Sequence, residues 1–294
     1  MGILTMFKAN KAHRAQSSGQ TDEAVRLYEE CFAEGLNDPR YVLAYAVLII
    51  RKGEYQKAKD FLVKHQKAPG MTPDQKVNLI VDYAACCFRL GELDKGIAKL
   101  EEMYRKGPTG LIYQTLGYLY VEKYDRKGKE AFLAAESARQ AEETARIAAE
   151  EAEEQAALEA ETEEARPRRR KKEREPLVPP EEQWEAGVKK ALEFNQAAVE
   201  YDEDDPVCLD NLAQVYYRVL GDEQEAKGWF EKAHAIKEEQ IDTLFFLSRY
   251  DLKAGDREAA VKKLEKAAQG RFSPLNYCSK ASIEAEIAAL KGER

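Results

Sequence analysis

Small and large side chains follow one another along this chain in a fixed order. Small residues stand at Ala12, Ala46, Ala84, Gly117, Ala213 and Ser248. Large apolar ones follow at Tyr28, Leu62, Leu100, Phe230 and Leu264, with packing residues behind them at Cys31, Met103, Ala233 and Ala267. Between the two sets come glycine–small pairs: Gly19/Ala24, Gly53/Ala58, Gly91/Gly96, Gly221/Ala226 and Gly255/Ala260. Gly19 to Gly53 is 34 residues, and so is Gly221 to Gly255. That period predicts a helix–turn–helix unit stacked on its neighbours. The small residue sits where the two helices of a unit cross, and a large side chain there would push them apart. Pro39, Pro69, Pro108 and Pro206 punctuate the turns between units.

The arrangement resembles the tetratricopeptide repeat (TPR) family over nearly all of residues 5–125 and 187–270. The resemblance implies an all-α fold, a right-handed α–α superhelix of about six units with a C-terminal cap. The units run about 5–38, 39–72, 77–109, 110–203, 206–240 and 241–273. The family's first-helix tryptophan is replaced by Val42, Ile80 and Leu244. A last helix starts near Ser279, where Ile283, Ile287 and Leu290 give one apolar face. A solenoid's open end needs such a cover.

One glycine pair is missing, between Gly91 and Gly221. Leu111–Asp125 reads as a complete first helix, and Ala191–Pro206 as a second helix with its exit turn. These halves are expected to form one unit, opened at its turn by residues 126–186. The segment from Lys129 competes for the second-helix slot, but only Ala191–Pro206 leads directly into the next unit. The expected organisation is therefore 5–125, an insert at 126–186, then 187–273 and a cap at 274–294.

The insert opens with an Ala/Glu-rich stretch, about 129–165, without Gly or Pro, which predicts helix. Its alanines at 131, 134, 138, 141, 145, 148 and 152 form a heptad-like seam. Such a seam supports only weak self-association, because each methyl buries little area. A basic block follows at Arg166, Arg168, Arg169, Arg170, Lys171, Lys172 and Arg174. It is a candidate polyanion site, although no aromatic residue interleaves it for base stacking. Pro176, Pro179 and Pro180 then favour an extended return.

Composition narrows the function. About a third of the residues are charged and the net charge is −8, against wholesale nucleic-acid binding. The longest apolar run, Val42–Ile50, is too short to span a bilayer. No signal peptide is read at the N-terminus, so the expected location is the cytoplasm. Five cysteines without C-x-x-C spacing suggest reduced thiols there. His13, His65 and His234 lie in different units without metal-ligand spacing. Gly91 and Gly96 have phosphate-loop spacing but lack the following Lys-Ser/Thr. No catalytic, metal or cofactor site is expected.

The TPR resemblance implies a concave groove lined by the first helices. Its positions map here to Leu43, Val47, Ile50, Arg51, Asn78, Val81, Phe88 and Arg89. They continue with Gln114, Tyr118, Val121, Asp210, Gln214, Tyr217, Arg218, Phe245, Arg249, Leu252 and Lys253. The implied groove is apolar and aromatic, with a basic row at Arg51, Arg89, Arg218 and Lys253. Such a surface suits a protein segment with acidic flanks. The family's carboxylate clamp is not expected, since Ala9/His13 and Leu43/Val47 occupy its starting positions. The chain thus reads as a non-catalytic protein-interaction scaffold. The alternative is a helical arm acting through the insert, by coiled-coil self-association or by contact with RNA.

Overall fold

A computed structural model describes residues 2–160 and 176–292, and among these residues every regular element is helical. The chain begins with three helical hairpins. They are α1 (Ile3–Ser17) with α2 (Thr21–Ala33), α3 (Pro39–Arg51) with α4 (Tyr55–His65), and α5 (Pro73–Arg89) with α6 (Leu93–Lys106). Next come α7 (Gly110–Lys123), α8 (Lys129–Ala160) and α9 (Pro180–Tyr201). The array ends with α10 (Pro206–Gln214), α11 (Glu223–Ile236), α12 (Ile241–Lys253), α13 (Arg257–Ala268) and α14 (Lys280–Lys291).

Side-chain acceptors cap many of these helices: Asp38, Thr72, Thr109, Asp205, Asp222, Asp256 and Ser279 each accept a first-turn amide. Five first helices stop at a glycine with φ between 75° and 81°, namely Gly19, Gly53, Gly91, Gly221 and Gly255. That left-handed conformation is the reason for glycine at those positions. The small partners Ala24, Ala58, Gly96, Ala226 and Ala260 are all buried at the crossing. A Cβ on Gly96 would lie 3.2 Å from the Ala84 backbone. Tyr28, Leu62, Leu100, Phe230 and Leu264 are fully buried behind the crossings.

The first helices form a continuous inner layer, with α1 packed on α3, α3 on α5, α5 on α7 and α7 on α10. The second helices lie outside them. α7 packs against α9, while α8 leaves the array between them in sequence. Gly117 admits the Asn195 amide, which donates to Gly117 O at 3.3 Å and to Ala191 O at 2.9 Å. Phe194 stacks among Tyr104, Tyr113 and Tyr120. α8 rests on α9 through its first turns, with the Phe132 ring 5.2 Å from Trp184. Gln140 donates to Val178 O at 2.6 Å. Alanines 131, 134, 138, 141, 145, 148 and 152 are all exposed, so the seam has no covering among the described residues. The expected helix to 165 is followed as far as Ala160; residues 161–165 and the basic block Arg166, Arg168, Arg169, Arg170, Lys171, Lys172 and Arg174 lie outside the described residues.

Candidate functional site

The concave face of the inner layer is partly filled. After α13 the chain does not pass straight to α14. Residues 270–279 cross the concavity as a strap. Gly270 starts it in close contact with Ile241, where a Cβ would lie 2.6 Å from the Ile241 side chain. Phe272, Pro274 and Leu275 then face Val47, Ile50, Val81 and Ala85 across a cavity of about 270 Å³. A cavity of about 320 Å³ separates Ile50, Arg51, Tyr55 and Arg89 from the strap and Lys280. A third, of about 460 Å³, lies between Val81, Gln114, Tyr118, Asp210 and the strap residues Ser273, Leu275 and Asn276.

The strap is anchored at Asp242, near the start of α12. The Tyr277 amide donates to both Asp242 carboxylate oxygens at 3.1 Å, and the Asn276 side chain donates to one at 3.2 Å. The Tyr277 ring lies 5.0 Å from Phe246 and 5.5 Å from Phe245. The Arg218 guanidinium covers that ring at 4.3 Å.

Arg218 is itself enclosed. It donates to Asp125 at 2.8 Å, to Glu122 at 2.7 Å and to Gln214 at 2.8 Å. Burial opposes its charge, but the Glu122 and Asp125 carboxylates outweigh that and hold its pKa above the ordinary value. Beside it, Asp210 accepts from Thr243 at 2.6 Å and from Gln214 at 2.7 Å. Burial pushes Asp210 up to about 7, with the nearby Asp242 charge adding to the effect. Burial likewise pushes Asp242 up to about 6, against the Tyr277 amide and the Asn276 side chain, which favour its charged form. The Tyr118 hydroxyl is buried nearby without a hydrogen-bond partner among the described residues.

A π-helical turn, Val215–Leu220, brings Arg218 into this position. Its signal was present in the spacing. The mid-helix small residue precedes the glycine by seven residues in Ala12/Gly19, Ala46/Gly53, Ala84/Gly91 and Ser248/Gly255, but by eight in Ala213/Gly221. One added residue in an α-helix is accommodated as a π-turn and rotates the residues beyond it.

The expected groove residues divide. Val47, Ile50, Arg51, Val81, Arg89, Gln114, Tyr118 and Asp210 come together around the strap's cavities. Phe245 and Arg218 hold Tyr277. Val121, Gln214 and Tyr118 are buried in the helical layer rather than open to solvent. Leu43 packs into the N-terminal core, Phe88 lies edge-on to Tyr118, and Tyr217 packs on Phe230 and Phe246. Asn78 is exposed and Leu252 half-buried, and neither lines these cavities. The basic row is not continuous. Arg218 is neutralised by two carboxylates, Lys253 pairs with Glu223, and Arg249 pairs with Glu286. Arg51 and Arg89 make no ion pair among the described residues.

Among the described residues, no group of three His, Cys, Asp or Glu side chains converges as a metal site would require. All five cysteines are buried free thiols, and burial pushes Cys86 up to about 12. No helix among the described residues is long and apolar enough to cross a membrane.

No family model matches the chain, and no curated relative does. Solved structures do resemble it. The thermophilic TPR protein TTC0263 of Thermus thermophilus is 15% identical, with a TM-score of 0.55 over 86% of this chain and 99% of that one. PilW, a widely conserved type IV pilus biogenesis factor, is 11% identical, with a TM-score of 0.54 over 97% and 100%. MamA from Desulfovibrio magneticus RS-1 is 16% identical, with a TM-score of 0.50 over 82% and 98%.

Proposed function

We propose that this chain, an all-α solenoid with the tetratricopeptide repeat fold, is a non-catalytic scaffold that holds a protein segment against its concave face. One observation carries the reading. On the side of α3 and α5, apolar Val47, Ile50 and Val81 border cavities beside Arg51 and Arg89, whose guanidinium groups no carboxylate neutralises among the described residues. An apolar wall edged by uncompensated cations suits an apolar segment with an acidic flank. The five unpaired thiols fit a reducing compartment such as the cytoplasm.

The test is crosslinking capture with full-length protein beside its R51E/R89E variant. Both arginines are exposed, so the variant keeps its fold. Reproducible partners that disappear with the double reversal are the expected result. Partners retained unchanged would remove the groove from the account. The exposed alanine stripe of α8 favours a second reading, weak self-association through that arm. Sedimentation equilibrium of A141E/A148E against wild type reads it directly, because two added carboxylates would abolish such pairing.

A further inference from the structure

We infer that Leu275–Tyr277 occupies a peptide-recognition seat as a built-in ligand. The seat's external ligand is then an extended segment with an aliphatic residue two positions before an aromatic one. The inference rests on the scaffold reading and narrows its ligand class.

The strap is held as a bound peptide is held. Its amide at Tyr277 and its side chain at Asn276 converge on one carboxylate, Asp242, outside any helical ladder. Short-range bonds hold the rest: Ser273 Oγ accepts from Leu275 N at 3.1 Å, and Asn276 Oδ1 accepts from Ser273 N at 2.8 Å. Leu275 and Tyr277 supply apolar and aromatic contact, Leu275 to the core formed around α7 and Tyr277 to Phe245 and Phe246. Backbone bonds plus alternate side-chain pockets are how grooves read extended segments.

Packing points the same way. Protein interiors are close-packed with few voids, yet cavities of about 460, 320 and 270 Å³ border the strap. A segment placed there only to complete the core would not leave them. They give a longer or bulkier segment room on the same seat.

Charge selects what that segment carries. Glu122 and Asp125 already satisfy Arg218, so the guanidinium offers its face to a ring rather than its edge to an anion. Asp242 accepts N–H donors. The seat therefore takes an aromatic residue and its own amide, and disfavours a carboxylate at that point. An external segment must displace a strap tethered at both ends, whose effective concentration is on the order of millimolar. The strap thus sets the threshold for binding.

The probe is a fluorescein-labelled peptide of residues 270–280. It is titrated by anisotropy into full-length wild type and into the strap variants L275S/Y277S and Y277S. Variants qualify by wild-type helical circular dichroism and a cooperative melt. Binding to the variants at least about tenfold tighter than to wild type is expected, because their seat is vacated. Adding D242N should weaken it at least about tenfold, the size of one charge-assisted hydrogen bond. A wild-type measurement does not depend on any variant folding: the amides of Asn276–Cys278 should exchange hydrogen at least about tenfold faster than those of the α12 core. Absence of peptide binding to a qualified variant, indifference to D242N, or strap amides exchanging only with global unfolding would overturn the inference. Partner capture through Arg51 and Arg89 is a separate readout, so the scaffold reading can survive that failure, and its own failure leaves the peptide result standing.

Discussion

Replacing Arg218 with methionine tests whether the seat is held by buried charge. The guanidinium makes three hydrogen bonds, two of them to carboxylates at 2.7 and 2.8 Å, and covers the Tyr277 ring at 4.3 Å. The Arg218 side chain is 5% exposed, and those of Glu122 and Asp125 are 16% and 14% exposed. Methionine keeps most of the volume but leaves the two carboxylates enclosed without a counter-charge. Removing one partner from a buried ion pair costs about 3–5 kcal/mol. The lost contact with Tyr277 adds about 0.5–2 kcal/mol. R218M should therefore lose about 3–6 kcal/mol in urea unfolding followed by circular dichroism, with the m-value unchanged. Neutralising the stranded acids with E122Q/D125N in the R218M background should recover part of the loss, because their uncompensated charge causes much of it. A loss below about 1 kcal/mol, or no recovery on neutralisation, would refute the reasoning.

The other predictions read packing, pH and surface charge. A Cβ on Gly187 would lie 2.0 Å from the Tyr124 ring, so G187A should destabilise by about 1–3 kcal/mol; Gly228 is exposed in α11 with nothing within 4 Å, so G228A should stabilise by up to about 1 kcal/mol, and paired thermal melts read both. Asp210 and Asp242 have folded pKa values raised to about 7 and about 6. Their stabilising proton uptake is complete below the ordinary carboxylate range and is lost as pH rises through those values. The stability of wild type relative to D210N should thus be lower at pH 8 than at pH 5, and a difference that does not change with pH would contradict the burial argument. R51E/R89E should leave the melting temperature within a few degrees of wild type, since surface substitutions without partners usually change stability by less than about 0.5 kcal/mol.

The repeat was legible because its determinants are local and steric. Gly19, Gly53, Gly91, Gly221 and Gly255 each close a first helix at positive φ, and each partner's small side chain lies under the crossing. Nothing distant is needed to place such residues, so spacing alone carries them. Groove chemistry was less legible, because counting helix positions assigns a face but not its neighbours. Arg218 occupies a groove position in that count, yet the residue added between Ala213 and Gly221 turns it towards Glu122 and Asp125. Those carboxylates precede it by more than ninety positions in sequence. The strap was invisible for a related reason. Gly270–Ser279 has loop composition, and only closure of the array brings it opposite Ile50 and Val81.

The same residue joins the two departures of this chain from a plain array. Asp125 is the last residue before the 3₁₀ turn Arg126–Gly128 that leads into α8, so it marks where the opened unit leaves the solenoid. Tyr277 belongs to the strap that fills the concavity. Arg218 binds both, the first through an ion pair and the second through its guanidinium face. Gly221 presses on this junction as well, since a Cβ there would lie 2.0 Å from the Arg126 guanidinium. A displacement of the strap removes the ring that covers Arg218 but leaves its two carboxylates in place. The ion pairs should then hold the root of α8 fixed while the seat empties. Coupling between arm and groove through this contact is therefore limited to the cation–ring term, about 0.5–2 kcal/mol. A double-mutant cycle between Arg218 and Tyr277 measures that term. A coupling well above that range would mean that strap and arm move as one unit.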